Sequence, residues 1–134
     1  MRLVESDGEQ LEPVVPNTIA RSIAIGNPAD GRFAAQAIRG TGGWVAAVSD
    51  QDLVAGIRLL AETTGIFTET AGGATVAGAA ALARAGRLGP EDEVVLCITG
   101  NGLKTVEALQ GVLPEAPVIA PKIRELEALY GRDL

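Results

Sequence analysis

The sequence contains no histidine and only one cysteine among its 134 residues. Histidine is the commonest general base and the commonest ligand of transition metals. Its absence excludes a histidine-based catalytic triad within this chain and argues against a zinc site. A single cysteine excludes an internal disulfide and is typical of proteins from a reducing cytoplasm. Because this residue, Cys97, lies inside an apolar run, we expect a buried and unreactive thiol.

Lysines and aromatic residues are also scarce. The only lysines are Lys104, expected at a helix start or on the surface, and Lys122, expected to be solvated. Aromatic residues make up 3% of the chain, so a core must be built from the aliphatic residues of a sequence that is 47% hydrophobic. The net charge of −6 argues against binding nucleic acid through its phosphates. With no membrane-length apolar run and no signal peptide, the sequence predicts a cytoplasmic protein.

Short apolar runs and helical patterns alternate along the chain. Strands are predicted over residues 44–48, 66–68 and 94–98, and helices over about 33–40, 50–64, 74–85, 106–110 and 123–130. Ser49 or Asp50 should cap the second of these helices and Gly65 should end it. This alternation predicts an α/β fold, with a mostly parallel sheet flanked by helices. Residues 1–18 are interpreted as an extended lead-in or docking arm, and residues 19–134 as one α/β domain.

The run from Thr99 to Lys104, with the sequence TGNGLK, directly follows the last predicted strand. Small molecules bind at the carboxyl edge of open α/β sheets, and there the Thr99 hydroxyl could contact a bound ring or merely satisfy turn backbone. Gly100 and Gly102 permit unusual backbone angles or close approaches. The N–H groups of this turn could hold an anion or simply form a plain strand-to-helix turn.

Glu69 ends the short apolar run at 66–68, immediately before a glycine-rich helix start. Its carboxylate could face a ligand ring, or it could favour the positive end of the helix dipole. The sequence leaves both interpretations open.

Four blocks in this order resemble the C-terminal part of the threonine synthases. They are TIARSIAIGNP at 18–28, VSD at 48–50 followed by an amphipathic helix, GIFTETA at 65–71 and TGNGLK at 99–104. The resemblance covers about residues 11–125, and the combination is more specific than any one block. Related lyases and dehydratases usually place a different glycine-rich run where this chain has TGNG.

The resemblance implies the tryptophan-synthase-β-like fold of pyridoxal-phosphate enzymes, called fold type II. In this family two α/β domains hold the cofactor between them. Thr99 would meet the pyridine nitrogen, with Gly100 beside it and Glu69 near the ring. A substrate-side loop would consist of Ile25, Gly26, Asn27 and Pro28. The implied reaction converts O-phospho-L-homoserine and water into L-threonine and phosphate.

The family's Schiff-base lysine, its glycine-rich phosphate loop and the asparagine beside the cofactor's phenolic oxygen have no counterpart here. The resemblance therefore implies a C-terminal portion with no catalytic residue of its own, inactive alone. It would need the missing N-terminal lysine domain or self-association, and should not be a well-behaved monomer. Two alternatives stay open. One is a non-catalytic α/β module for oligomerisation or small-anion binding, and the other is part of a related amino-acid dehydratase.

Overall fold

Helices form almost all the regular secondary structure in the computed structural model, which describes residues 2–5 and 11–131. The α-helices are α1 (Arg2–Glu5), α2 (Gly31–Gly40), α3 (Asp50–Thr64), α4 (Thr70–Arg84) and α5 (Ile123–Tyr130). Short 3₁₀ turns occupy Arg21–Ile23, Gly102–Lys104 and Val106–Leu109. Residue 1, residues 6–10 of the predicted lead-in and residues 132–134 of the predicted domain lie outside the described residues.

Helix α3 begins and ends where its sequence signals predict. The Ser49 hydroxyl accepts a hydrogen bond from the Asp52 amide (3.1 Å), and the Asp52 carboxylate accepts one from the Ser49 amide (3.1 Å), which completes a capping box. The Ser49 hydroxyl also donates to that carboxylate, and this hydrogen bond is the main reason that the pKa of Asp52 is lowered. Gly65 ends the helix in the left-handed region (φ 75°), a conformation that suits glycine.

Helix α4 begins at Thr70, four residues before the predicted start at Ala74. The two glycines that precede the predicted start, Gly72 and Gly73, belong to its first turn, where they allow close packing. A Cβ on Gly72 would collide with the Thr68 side chain, and one on Gly73 would lie 2.5 Å from the Leu53 carbonyl oxygen. Tertiary contact here overrides the low helix propensity of glycine.

The core forms where α3 and α4 pack together. A Cβ on Gly56 of α3 would overlap the Gly73 carbonyl oxygen of α4, so the two backbones approach as closely as glycine allows. The buried cluster beside this crossing consists of Ala20, Leu53, Ile57 and Leu109, with Val54, Phe67 and Ala74 packed against it. We expected α4 to be buried against a sheet, whereas it is buried against α3.

The predicted mostly parallel sheet is wrong. In residues 11–131 the runs at 44–48 and 94–98 pair with no other strand, and the only β-bridge is an isolated antiparallel one between Thr68 and Asn101. A helix satisfies its hydrogen bonds within one segment, whereas a strand needs a neighbour, which an apolar run cannot supply for itself. The α/β fold class inferred from the alternation is therefore corrected to a mainly helical structure.

The same correction applies to the predicted burial of the run at 94–98. Val95 is 85% exposed, and Cys97 is an exposed free thiol, contrary to the expectation that it would be buried. No second layer covers this run in the described part of the chain. The hydrophobicity of the run predicted that it would be buried, but no described element covers Val95 or Cys97.

Candidate functional site

The candidate site forms where the segment before α4 meets the turn after the 94–98 run. The Glu69 amide donates to the Gly100 carbonyl oxygen (3.2 Å), and the Gly102 amide donates to the Phe67 carbonyl oxygen (3.0 Å). A Cβ on Gly102 would lie 2.5 Å from the Phe67 ring, which packs over it. The need for glycine here thus comes from close approach rather than from an unusual backbone angle.

Two threonine side chains add further hydrogen bonds across this junction. The Thr68 hydroxyl, on a residue only 1% exposed, donates to the Gly100 carbonyl oxygen (3.0 Å). The Thr105 hydroxyl accepts from the Thr70 amide (3.2 Å), which would otherwise be an unpaired donor at the start of α4. These contacts fix the beginning of α4 to the TGNG turn.

Glu69 is the buried acidic residue of the site. It stands at the N-cap of α4 and is 4% exposed, but its side chain makes no capping hydrogen bond. One oxygen, Oε1, accepts from the Lys104 ammonium group at 2.7 Å, and the carboxylate occupies the space that a Cβ on Gly100 would need. Glu69 is therefore held by a cation and a glycine, rather than by the helix end that it precedes.

Three side-chain oxygens around the junction have unused hydrogen-bonding capacity. Glu69 Oε2 and Thr70 Oγ1 are buried without a hydrogen-bond partner in the structure. The Thr99 side chain is exposed, and its hydroxyl makes no hydrogen bond to any described residue. Buried polar atoms are nearly always satisfied in native proteins, so unpaired ones mark a place where a ligand or water can bind.

The N–H groups that follow the TGNG turn are already in use. The amides of Gly102, Leu103, Lys104 and Thr105 donate to Phe67 O, Asn101 Oδ1, Asn101 O and Gly102 O, in that order. An anion cradle needs several free amides that converge on one point. The amides of Gly102 to Thr105 are therefore not available to an anion, and an anion site at the Gly100–Gly102 turn stays a prediction.

The loop of Ile25, Gly26, Asn27 and Pro28 lies against the lead-in. The Gly26 carbonyl oxygen accepts a hydrogen bond from the Val14 amide (3.0 Å), and a Cβ on Gly26 would collide with that residue's backbone. Among residues 11–131 no hydrogen bond joins this loop to Glu69, Thr99 or Gly100. The structure thus brings Glu69 and Gly100 together, and within the described residues it shows no hydrogen bond between this pair and the predicted substrate-side loop.

Sequence reasoning missed the ion pair of Lys104 and the roles of Thr68 and Thr105. Lys104 was expected only at a helix start or on the surface. A buried carboxylate requires a cation, but the chain has 11 lysines and arginines in all, so this requirement does not single out Lys104. The threonine hydrogen bonds span more than thirty positions and carry no local pattern.

Two further features of the described residues bear on the class of site. No helix in this part of the chain is long and apolar enough to cross a membrane. No group of three or more acidic, histidine or cysteine side chains in it is arranged to hold a metal ion.

Comparison with known proteins gives one family match and several close relatives. Residues 2–100 match the family described as pyridoxal-phosphate dependent enzyme. The threonine synthase of Halalkalibacterium halodurans is 35% identical over 106 residues, which are 79% of this chain and 30% of that protein. For the threonine synthase of Methanocaldococcus jannaschii the identity is 40% over 93 residues, 69% of this chain and 23% of the relative. The threonine synthase of Mycobacterium tuberculosis strain H37Rv is 36% identical over 120 residues, which are 88% of this chain and 33% of that protein.

These matches confirm the resemblance to threonine synthases that the four sequence blocks indicated. The chain spans about a quarter to a third of the length of these curated relatives, between 23% and 33%.

Proposed function

We propose a function that proceeds from one fact: the chain belongs to the pyridoxal-phosphate dependent enzyme family. Within that family it is threonine-synthase-like. The proposal is that it builds the wall of the cofactor site beside the ring nitrogen, in an enzyme that converts O-phospho-L-homoserine and water into L-threonine and phosphate. One observation carries this proposal. The buried Glu69 carboxylate is held against Gly100, next to Thr99, and keeps one oxygen unpaired.

The side chains present fit one edge of the cofactor. Pyridoxal phosphate supplies an electron-withdrawing ring that stabilises negative charge on the substrate. The exposed Thr99 hydroxyl supplies a donor for the nitrogen of such a ring, whereas the Glu69 carboxylate can only accept hydrogen bonds. Thr99 would hold the ring nitrogen, Gly100 would let the backbone approach, and Glu69 would lie beside the ring.

A hydroxyl at the ring nitrogen has a chemical consequence. Threonine is neutral at all ordinary pH values, so Thr99 can hold a pyridine nitrogen without supplying the formal charge that a carboxylate partner would. The nitrogen then stays largely unprotonated, which limits how strongly the ring withdraws electrons. Thr99 is therefore proposed to tune the cofactor as well as to position it.

The loop of residues 25–28 remains the proposed substrate side of the site. Its backbone is held by the lead-in through the hydrogen bond between the Val14 amide and the Gly26 carbonyl oxygen. This contact supports the interpretation of residues 1–18 as an arm, with the rest of the chain as one unit. In the proposal, the arm orients the loop and leaves the exposed Asn27 side chain available to a ligand.

The chain alone is proposed to be catalytically silent. Covalent attachment of a carbonyl cofactor needs a neutral amine in a dry pocket. Lys104 is paired with Glu69 and has a side chain that is 60% exposed, and Lys122 is exposed at the start of α5. Neither lysine meets that requirement, so a partner that contributes a suitable lysine is part of the proposal, as is self-association.

Cofactor binding is tested by calorimetric titration of the purified chain with pyridoxine 5′-phosphate. This probe keeps the ring and the phosphate but lacks the aldehyde, so it cannot react with surface amines. We expect saturable binding that Thr99→Val abolishes and that Thr99→Ser, which retains the hydroxyl, preserves. Absence of binding, or binding equal in Thr99→Val, would overturn the proposed cofactor wall.

The proposed inactivity of the isolated chain is tested separately, by measuring phosphate release from O-phospho-L-homoserine in the presence of pyridoxal phosphate. We expect release no faster than in the buffer control. Steady release by the wild-type chain that Thr99→Val removes would refute the proposed need for a partner.

The other candidate functions gain no support from the site. An anion-binding module would use the amides of the Gly100–Gly102 turn, of which that of Gly102 is already hydrogen-bonded to the Phe67 carbonyl oxygen. An amino-acid dehydratase of the same family would share the cofactor wall, but the relatives compared above are threonine synthases. The threonine synthase reaction is therefore the proposal that we favour.

A further inference from the structure

Lys104 and Glu69 form an asymmetric ion pair at the candidate site. The ammonium nitrogen lies 2.7 Å from Glu69 Oε1, and the glutamate side chain is 5% exposed while the lysine side chain is 60% exposed. Burial of a carboxylate is costly unless a cation and hydrogen bonds compensate for the lost water. Since Lys104 remains largely in solvent, it can supply that compensation at a small desolvation cost of its own.

The other side of the Glu69 carboxylate rests on Gly100. An added Cβ at this glycine would coincide with Oε1 and crowd the carboxyl carbon. The Gly100 carbonyl oxygen also accepts hydrogen bonds from the Glu69 amide and the Thr68 hydroxyl. A movement of the carboxylate would therefore shift the backbone of Gly100 and of its neighbour, Thr99.

We propose that Lys104 is a positioning residue, whose ammonium group holds the Glu69 carboxylate against Gly100 and thereby fixes the backbone that presents Thr99. The lysine itself need not touch the cofactor. This inference deepens the proposed function, because the position of Thr99 matters only if Thr99 contacts a ligand. It also explains why Oε2 is left unpaired, since the single cation at this site engages only Oε1.

A positioning role differs from a purely stabilising one in a measurable way. Because Glu69 is buried, Lys104→Met leaves its carboxylate without a compensating cation and should lower the urea midpoint. The same substitution should raise the dissociation constant of pyridoxine 5′-phosphate about fivefold, the factor expected for loss of one partly exposed ion pair. Lys122→Met removes the other lysine, which lies away from this junction, and is the matched control.

The decisive readout needs no cofactor. In ¹⁵N NMR spectra of the unliganded chain, we expect the amide signals of Thr99 and Gly100 to shift in Lys104→Met and to stay in place in Lys122→Met. Unchanged signals in Lys104→Met would overturn the inference. So would shifts spread over the whole spectrum, because the lysine would then act through overall stability. If the wild-type chain fails to bind the probe, the proposed function falls, while the NMR comparison still decides the role of Lys104.

Discussion

A close backbone approach between α3 and α4 gives a sharp test of the structure. Gly73 lies in the first turn of α4, and an alanine Cβ there would be 2.5 Å from the Leu53 carbonyl oxygen and 2.6 Å from Ile57 Cγ1. Both neighbours belong to α3, and a backbone carbonyl cannot rotate away as a side-chain end can. Gly73→Ala must therefore push the helices apart or distort one of them. Gly78, in the same helix, has no atom within 4 Å of the Cβ position and is the matched control.

The magnitude follows from two opposing effects. Replacing glycine by alanine inside a helix stabilises it by up to about 1 kcal/mol. Overpacking a tight contact costs about 1–3 kcal/mol, and two contacts this short place Gly73→Ala near the upper end. We therefore expect a net loss of about 2 kcal/mol for Gly73→Ala and a gain of up to about 1 kcal/mol for Gly78→Ala.

Urea unfolding followed by circular dichroism at 222 nm measures both variants. With a slope of about 2 kcal/mol per molar, Gly73→Ala should lower the unfolding midpoint by about 1 M, and Gly78→Ala should raise it slightly. Equal midpoints for the two variants would refute the close approach of α3 and α4. A loss in Gly78→Ala as large as that in Gly73→Ala would show that the effect comes from the helix itself and not from the contact.

Three further predictions concern the cap, the site junction and the exposed surface. Ser49→Ala should cost about 1 kcal/mol through loss of the cap. The pKa of Asp52 is lowered in the folded chain, mainly by the hydrogen bond from Ser49. The ionised Asp52 carboxylate therefore stabilises the fold above its ordinary pKa of 3.8, and this stabilisation is lost as the pH falls below that value. Unfolding curves at pH 2–6 should accordingly show a weaker dependence of stability on acid in Ser49→Ala. Thr68→Val should cost about 1 kcal/mol through loss of its hydrogen bond to Gly100, and Thr68→Ser should cost less, by the same urea assay. Light scattering at rising concentration should give a mass above the 13.7 kDa of one chain, and a constant monomer mass would contradict this.

The helices could be predicted because their signals are local. The cap at Ser49, the left-handed Gly65 and the span of α5 at Ile123–Tyr130 are all confirmed. Each depends on residues within a few positions, and a helix closes its own hydrogen bonds. The start of α4 was predicted too late because two glycines in sequence look like a turn, and only the contact of Gly73 with α3 shows why they are helical.

The sheet could not be predicted from apolar runs alone. Hydrophobicity at 94–98 indicates that a run favours burial, but it does not provide a neighbouring strand or a covering layer. In the described residues the run finds neither, and Val95 and Cys97 are exposed. An alternation of helical patterns and apolar runs predicts a sheet only if each apolar run finds a neighbouring strand. The run at 94–98 finds none in the described residues.

The residues of the candidate site could be singled out from the sequence, but the contacts between them could not. Thr99, Gly100 and Glu69 were singled out from their places at the ends of apolar runs, and the structure brings Glu69 onto Gly100. The pairing of Glu69 with Lys104, 35 positions apart, could not be read from spacing, because such a pair depends on the tertiary path of the chain. Whether Thr99 meets a ring nitrogen stays a prediction.

Stability and site geometry are coupled in this chain through the first turn of α4. The Gly73 amide donates to the Glu69 carbonyl oxygen at 3.0 Å, so the glycine that sets the distance to α3 is bonded to the acidic residue of the site. A substitution that moves Gly73 away from α3 must also move Glu69, and both folding and ligand binding should then weaken. Lys104, largely in solvent, reaches the same carboxylate without taking part in the helix contact. If Gly73→Ala shifts the amide signals of α3 as well as those of the site, while Lys104→Met shifts only those around Thr99 and Gly100, helix packing determines where the carboxylate lies, and the lysine determines how it is held.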